Sequence, residues 1–126
     1  MKLNHDCVRL LLLEIESNKK LGEPLTKHNF KDNIVFEKYG FDTVMYTLLK
    51  LKEAEYINVQ LLWESGSVES FLINDMTWEG HEFLDNIRDN NTWKEVKRVA
   101  SKTSSMSLTL MSKLAVQYLS QKFNLT

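Results

Sequence analysis

The apolar residues of this chain fall into blocks whose spacing predicts a series of helices interrupted by one β-hairpin. Asn4 suits an N-cap ahead of Asp6, Cys7, Val8 and the run Leu10-Leu11-Leu12-Leu13, with Ile15 closing the pattern. This first helix is apolar on nearly all sides, so it is expected to be central and to end near Asn18. Glu23-Pro24-Leu25-Thr26 is too short for a helix and suits an edge strand, where proline is tolerated. From Asn29 to Tyr39 the spacing predicts one short helix with Phe30, Ile34, Val35 and Tyr39 inward, stopped by Gly40.

Asp42 is expected to cap a third helix, Thr43 to Ala54. A helical wheel places Phe41, Val44, Met45, Leu48, Leu49 and Leu51 on one arc and Thr43, Tyr46, Thr47, Lys50 and Glu53 on the other. Ile57 to Trp63 is rich in strand formers, Glu64-Ser65-Gly66-Ser67 is a turn, and Val68 to Asn74 is the returning strand. Thr77 caps a fourth helix, Trp78 to about Asp89, with Phe83, Leu84 and Ile87 as its stripe, and Asn90-Asn91 breaks the pattern. A fifth helix, Thr92 to Lys102, sets Trp93, Val96, Val99 and Ala100 against Lys94, Lys97, Arg98 and Lys102. The last helix runs from Leu108 to Phe123.

Helix, helix, helix, hairpin, with a small strand after the first helix, is the order of a winged helix-turn-helix, an α+β fold. Other small α+β domains share that order. The expected organisation is a winged-helix-like domain over residues 1–90 and a two-helix extension over 91–126 that packs on it or forms a dimer interface.

Composition narrows the class. The 126 residues are 43% hydrophobic and 26% charged, an ordinary soluble balance, with one cysteine and therefore no internal disulfide or thiolate cluster. No apolar run nears the ~20 residues of a membrane span. The opening residues turn charged before a signal-peptide core develops, so a cytoplasmic protein without membrane contact is expected. The net charge of -1 hides an asymmetry: residues 1–90 carry 10 basic and 16 acidic side chains, residues 91–126 carry 6 and 1. The basic end suits an anion, either nucleic acid or the acidic body of the same protein or its twin.

Candidate chemistry is sparse. His81-Glu82-x-x-Asp85 puts a histidine and a carboxylate one turn apart, but the zinc-protease form needs a second histidine at Asp85 and a third ligand. Gly80, in the first turn of its helix, suits close packing. Cys7 lies among leucines and reads as core. The serines between 101 and 112 sit in no nucleophile elbow, and four isolated glycines build no phosphate loop. No enzyme, cofactor or metal is expected.

Nucleic acid is the better candidate. In a winged helix the third helix enters the major groove, which points Thr43, Tyr46, Thr47 and Lys50 at base edges. The wing carries Glu64 and Glu69 and no base, the wrong sign for phosphate. Lys94, Lys97, Arg98 and Lys102 form a basic stripe over roughly 140° of the fifth helix. The last helix spreads its apolar residues over roughly 240°, wider than one-sided packing needs. Leu108, Met111, Leu114, Ala115, Tyr118 and Leu119 are accordingly expected at a homodimer interface, with burial under the fifth helix as the alternative.

Leu3 to Arg9, Tyr46 with Leu48-Leu49, Lys52 to Ile57, and Thr77-Trp78-Glu79-Gly80-His81-Glu82-Phe83-Leu84 through Asp89 with Trp93-Lys94 resemble a family of small bacterial and phage proteins catalogued as a domain of unknown function. The resemblance covers residues 3–105, with Met76 where leucine is expected. It implies a winged-helix-like fold and residence in phages or mobile elements, and brings no catalytic residues. The expected function is a DNA-binding or regulatory module. The alternative is an adaptor that binds another protein through the same fold without DNA.

Overall fold

The computed structural model describes residues 1–125, and the chain forms two compact units, the first from Met1 to His81 and the second from Glu82 onward. The seam lies inside a helix, not between residues 90 and 91. The fold is α+β, with a three-stranded antiparallel sheet in the first unit.

In the first unit, α1 (His5–Asn18) begins where Asn4 accepts the Cys7 N–H at 3.0 Å. It buries Cys7, Val8, Leu11, Leu12 and Ile15, and packs on α3 (Ile34–Tyr39) and α4 (Phe41–Glu53). β1 (Leu25–Thr26) follows as an edge strand, pairing Leu25 with Ile73 and Thr26 with Leu72. The segment expected as one helix is two, α2 (Lys27–Phe30) and α3. Asn33 breaks it: its side chain accepts the Val35 N–H at 2.9 Å and donates to Glu14 Oε1 at 2.9 Å. An asparagine that caps a new helix satisfies donors that a continuous helix would leave it competing for. The break also turns Ile34 outward, 53% exposed, while Phe30 and Val35 stay buried.

Gly40, at φ +82°, ends α3 and starts α4 at once, so Asp42 lies in the first turn and is not the cap. That left-handed conformation is the one glycine adopts without steric cost. Val44, Met45, Leu48 and Leu51 face inward as the wheel predicts. Helix α4 closes with the Tyr56 N–H on the Leu51 carbonyl and the Glu55 N–H on the Lys52 carbonyl, both at 3.0 Å. This paired closure normally uses glycine at the left-handed position, but here Glu55 holds φ +63°. Glu55→Gly is therefore expected to stabilise the protein by about 1 kcal/mol, read as a rise in Tm of a few degrees. An unchanged or lower Tm would refute the strain at Glu55.

β2 (Ile57–Glu64) and β3 (Ser67–Met76) form the hairpin, joined at Ser65 and Gly66 with φ +51° and +83°. Two successive positive values are the two-residue turn whose twist matches that of the strands. The sheet order is β1-β3-β2, with Ile57, Val59, Phe71 and Ile73 in the core. Phe71 stacks on Phe36 at 5.9 Å and meets Phe30 edge-on at 6.4 Å, and Phe36 in turn stacks on Phe41 at 6.2 Å.

Helix α5 (Trp78–Ile87) starts at a locked junction. The Thr77 N–H donates to the Tyr56 carbonyl at 2.9 Å and its hydroxyl to the Glu55 carbonyl at 2.7 Å, while Thr77 Oγ1 accepts the Gly80 N–H at 3.0 Å. A Cβ on Gly80 would collide with the Tyr56 carbonyl oxygen. Close packing is thus what this glycine permits.

In the second unit, α6 (Asn90–Ala100) starts earlier than its pattern suggests and absorbs Asn90-Asn91. Asp89 accepts the Thr92 N–H at 2.8 Å and the Thr92 hydroxyl at 2.9 Å. These bonds hold the Asp89 carboxyl below the usual aspartate range. Ser107 caps α7 (Leu108–Lys122) by accepting the Leu110 N–H at 3.1 Å. Helix α6 packs on α7, and Trp93, Val96, Met111 and Ala115 are buried.

Candidate nucleic-acid interface

Helix α4 presents a narrow outer strip. Thr43, Tyr46 and Lys50 are half-buried along it, but Thr47 is only 1% exposed and faces the core. Thr47 stands at the edge of the apolar arc, and its hydroxyl donates back to the Thr43 carbonyl at 2.7 Å, 3.4 Å from Cys7 Sγ. A threonine that satisfies its own hydroxyl within the helix can be buried, so Thr47 leaves the base-facing set. Lys50 Nζ lies 2.8 Å from Glu53 and 5.4 Å from the Tyr46 ring centre. The Glu53 hydrogen bond raises the Lys50 pKa and offsets the one cation on this strip.

The hairpin is acidic throughout: residues 57–76 hold Glu64, Glu69 and Asp75 and no lysine or arginine. Asp75 accepts from Asn58 at 2.6 Å, and all three carboxylates are exposed. Leu62 and Trp63, read as strand formers, are 54% and 58% exposed at the tip. The strand register shifts between these two residues.

On α6, Lys94, Lys97 and Arg98 are exposed, and Lys102 is exposed in the turn after the helix ends. Arg98 forks onto Glu95 at 2.6 and 3.1 Å, which lowers the Glu95 pKa and raises that of Arg98. The dimer set on α7 separates in two. Met111 and Ala115 are buried within the chain and are unavailable to a partner, while Leu108, Leu114, Tyr118 and Leu119 are half-buried. Between α6 and α7, Val96, Val99, Leu114 and Tyr118 line an open cleft of about 240 Å³.

The remaining candidate chemistry is dispersed. His81 Nδ1 lies 3.6 Å from Glu16, and Asp85 binds Arg88 at 2.9 Å. Among the described residues no group of three or more His, Cys, Asp or Glu side chains could hold a metal ion. Burial pushes the Cys7 thiol up, away from the thiolate a nucleophile needs. No described helix is long and apolar enough to cross a membrane.

A family model described as hypothetical protein (DUF2513) matches residues 2–107. An uncharacterized protein of Haemophilus influenzae (strain Rd) is 32% identical over 124 residues, covering 96% of this chain and 98% of the relative. No solved structure matches the chain. With the family model spanning all of the first unit beyond Met1 and the relative matched nearly end to end, this chain belongs to the DUF2513 family.

Proposed function

We propose that this protein is a winged-helix module that binds double-stranded DNA, a small regulatory protein of phage or mobile-element type. The succession α1-β1-α2-α3-α4-β2-β3 with sheet order β1-β3-β2 supports the winged-helix reading. In that reading α4 is the recognition helix, and Thr43, Tyr46 and Lys50 meet base edges. The observation that carries DNA binding is the exposed basic row of α6, Lys94, Lys97 and Arg98, with Lys102 beyond it.

Each of these bases releases a counterion when it meets a phosphate. Three or four contacts give a salt slope of roughly -3 to -4, so a fourfold rise in salt weakens binding by about a hundredfold. In fluorescence anisotropy with a random duplex at low salt, Lys97→Glu with Arg98→Glu is expected to abolish binding on any sequence. Tyr46→Ala and Lys50→Ala are expected to weaken a preferred site more than random duplex. No measurable duplex binding at low salt by the folded protein refutes the DNA reading.

One observation favours a second reading, a protein adaptor on the same fold. Leu62 and Trp63 are exposed beside Glu64 and Glu69, where a phosphate-tracking wing needs bases.

A further inference from the structure

The hairpin tip and the α6 row are chemical opposites. Residues 57–76 themselves hold no positive side chain, although Lys27 Nζ donates to the Glu69 carbonyl at 3.1 Å, and the tip carries Trp63 with Glu64 next to it and Glu69 on the returning strand. Trp63 and Leu62 are each more than half exposed, and Trp63 offers a ring face of the kind that guanidinium and ammonium groups favour. The α6 row offers those groups: Lys94, Lys97 and Arg98 on one exposed face, continued by Lys102. The imbalance extends to the whole units. Residues 1–81 hold 9 basic against 13 acidic side chains, and residues 82–126 hold 7 against 4.

We infer that the hairpin tip of one copy docks on the basic row of α6 in a second copy. Two copies related by a twofold axis make this contact twice, tip to row and row to tip, which closes the pair without leaving a sticky end. Trp63 is the anchor, of the residue type that dominates interface energetics. Glu64 and Glu69 face the lysines and Arg98, and exchange of partners frees Arg98 from Glu95. The occupant is a second copy because this chain carries both halves of the complementary pair. The contact also regulates DNA binding, a clause that rests on the function proposed above: the carboxylates of the tip occupy the bases that phosphate needs, so duplex and self-association exclude one another.

The test is a charge swap, read by light scattering at low salt on the full chain. Wild type is expected to run as a dimer at micromolar concentration and to dissociate as salt rises. Glu64→Lys with Glu69→Lys sets positive tip against positive row, and Lys97→Glu with Arg98→Glu sets negative against negative. Each variant alone is expected to dissociate at least about tenfold more readily than wild type. Mixed together, the two variants restore both contacts, one with wild-type polarity and one reversed, so the mixture is expected to dimerise where neither variant does. Trp63→Ala weakens the wild-type dimer with no change in charge.

A wild-type monomer at all concentrations overturns the inference, as does a mixture that stays monomeric or a dimer indifferent to all these changes. Circular dichroism of each variant confirms that loss of the dimer is not loss of the fold. The DNA arm separates the two proposals. Glu64→Lys with Glu69→Lys is expected to bind duplex at least about tenfold more tightly than wild type. Absent DNA binding refutes the function reading and the exclusion clause, while the charge-swap dimer decides the interface by itself.

Discussion

Gly80→Ala is expected to lower the melting temperature of this protein, against the ordinary rule for helices. At an exposed helical site alanine is better than glycine by about 1 kcal/mol, so the usual expectation is stabilisation. Here the added methyl meets the Tyr56 carbonyl oxygen, with the Met76 side chain also in its way. Met76 can move, being unbranched and adaptable, but Tyr56 cannot. Its carbonyl accepts the Thr77 N–H, and its N–H closes α4 on the Leu51 carbonyl. Relief of the clash therefore separates α5 from the end of α4. A net loss of about 3 kcal/mol is expected, of the size seen when a rigid contact is overpacked. For a unit of this length that is a fall of roughly 12–24 °C. Glu79→Ala, at the exposed neighbouring position, is the control and should change little. A Gly80→Ala protein as stable as wild type would show that the junction is soft.

Phe71→Ala has the other large effect. Phe71 is 1% exposed on β3, stacked on Phe36 and edge-on to Phe30. Truncation removes its buried area and leaves a cavity walled by rings that are themselves engaged with one another, which limits collapse. Phenylalanine-to-alanine changes at such sites cost about 3–5 kcal/mol. That amounts to a fall of roughly 12–40 °C for the first unit. Phe71→Leu refills much of the space, so it should recover more than half of the loss in a denaturant or thermal scan. Equal losses for alanine and leucine would place the contribution in ring geometry instead of volume.

The elements whose signals are local were legible in the sequence. Asn4, Thr77, Gly40 and Ser65-Gly66 act through groups within a few residues, so α1, α5, the break before α4 and the hairpin turn stand where the pattern puts them. Gly80 was legible as a close-packing position, since a glycine in a first helical turn asks for a neighbour close by, but that the neighbour is Tyr56, 24 residues earlier, comes from the fold. Membership of a family of unknown function could also be read from the chain itself.

What needed the tertiary structure was decided by competition between nearly equal local choices. Asn33 can sit inside a helix or cap one, and Glu14, nineteen residues away in sequence, takes its amide and settles the choice. Thr47 stands at the margin of the apolar arc of α4, where a wheel cannot say which side is covered; α1 reaches over with Cys7 and covers it. Met111 and Ala115 are apolar, as are the larger Leu110 and Val116, yet only the first two are buried. By itself the sequence determined where caps, turns and periodic faces lie, because those follow from backbone hydrogen bonding over one or two turns. Only the packing of distant segments decided which face each helix shows to solvent and left Leu62 and Trp63 exposed beside two carboxylates, because burial is a property of neighbours the local pattern does not contain.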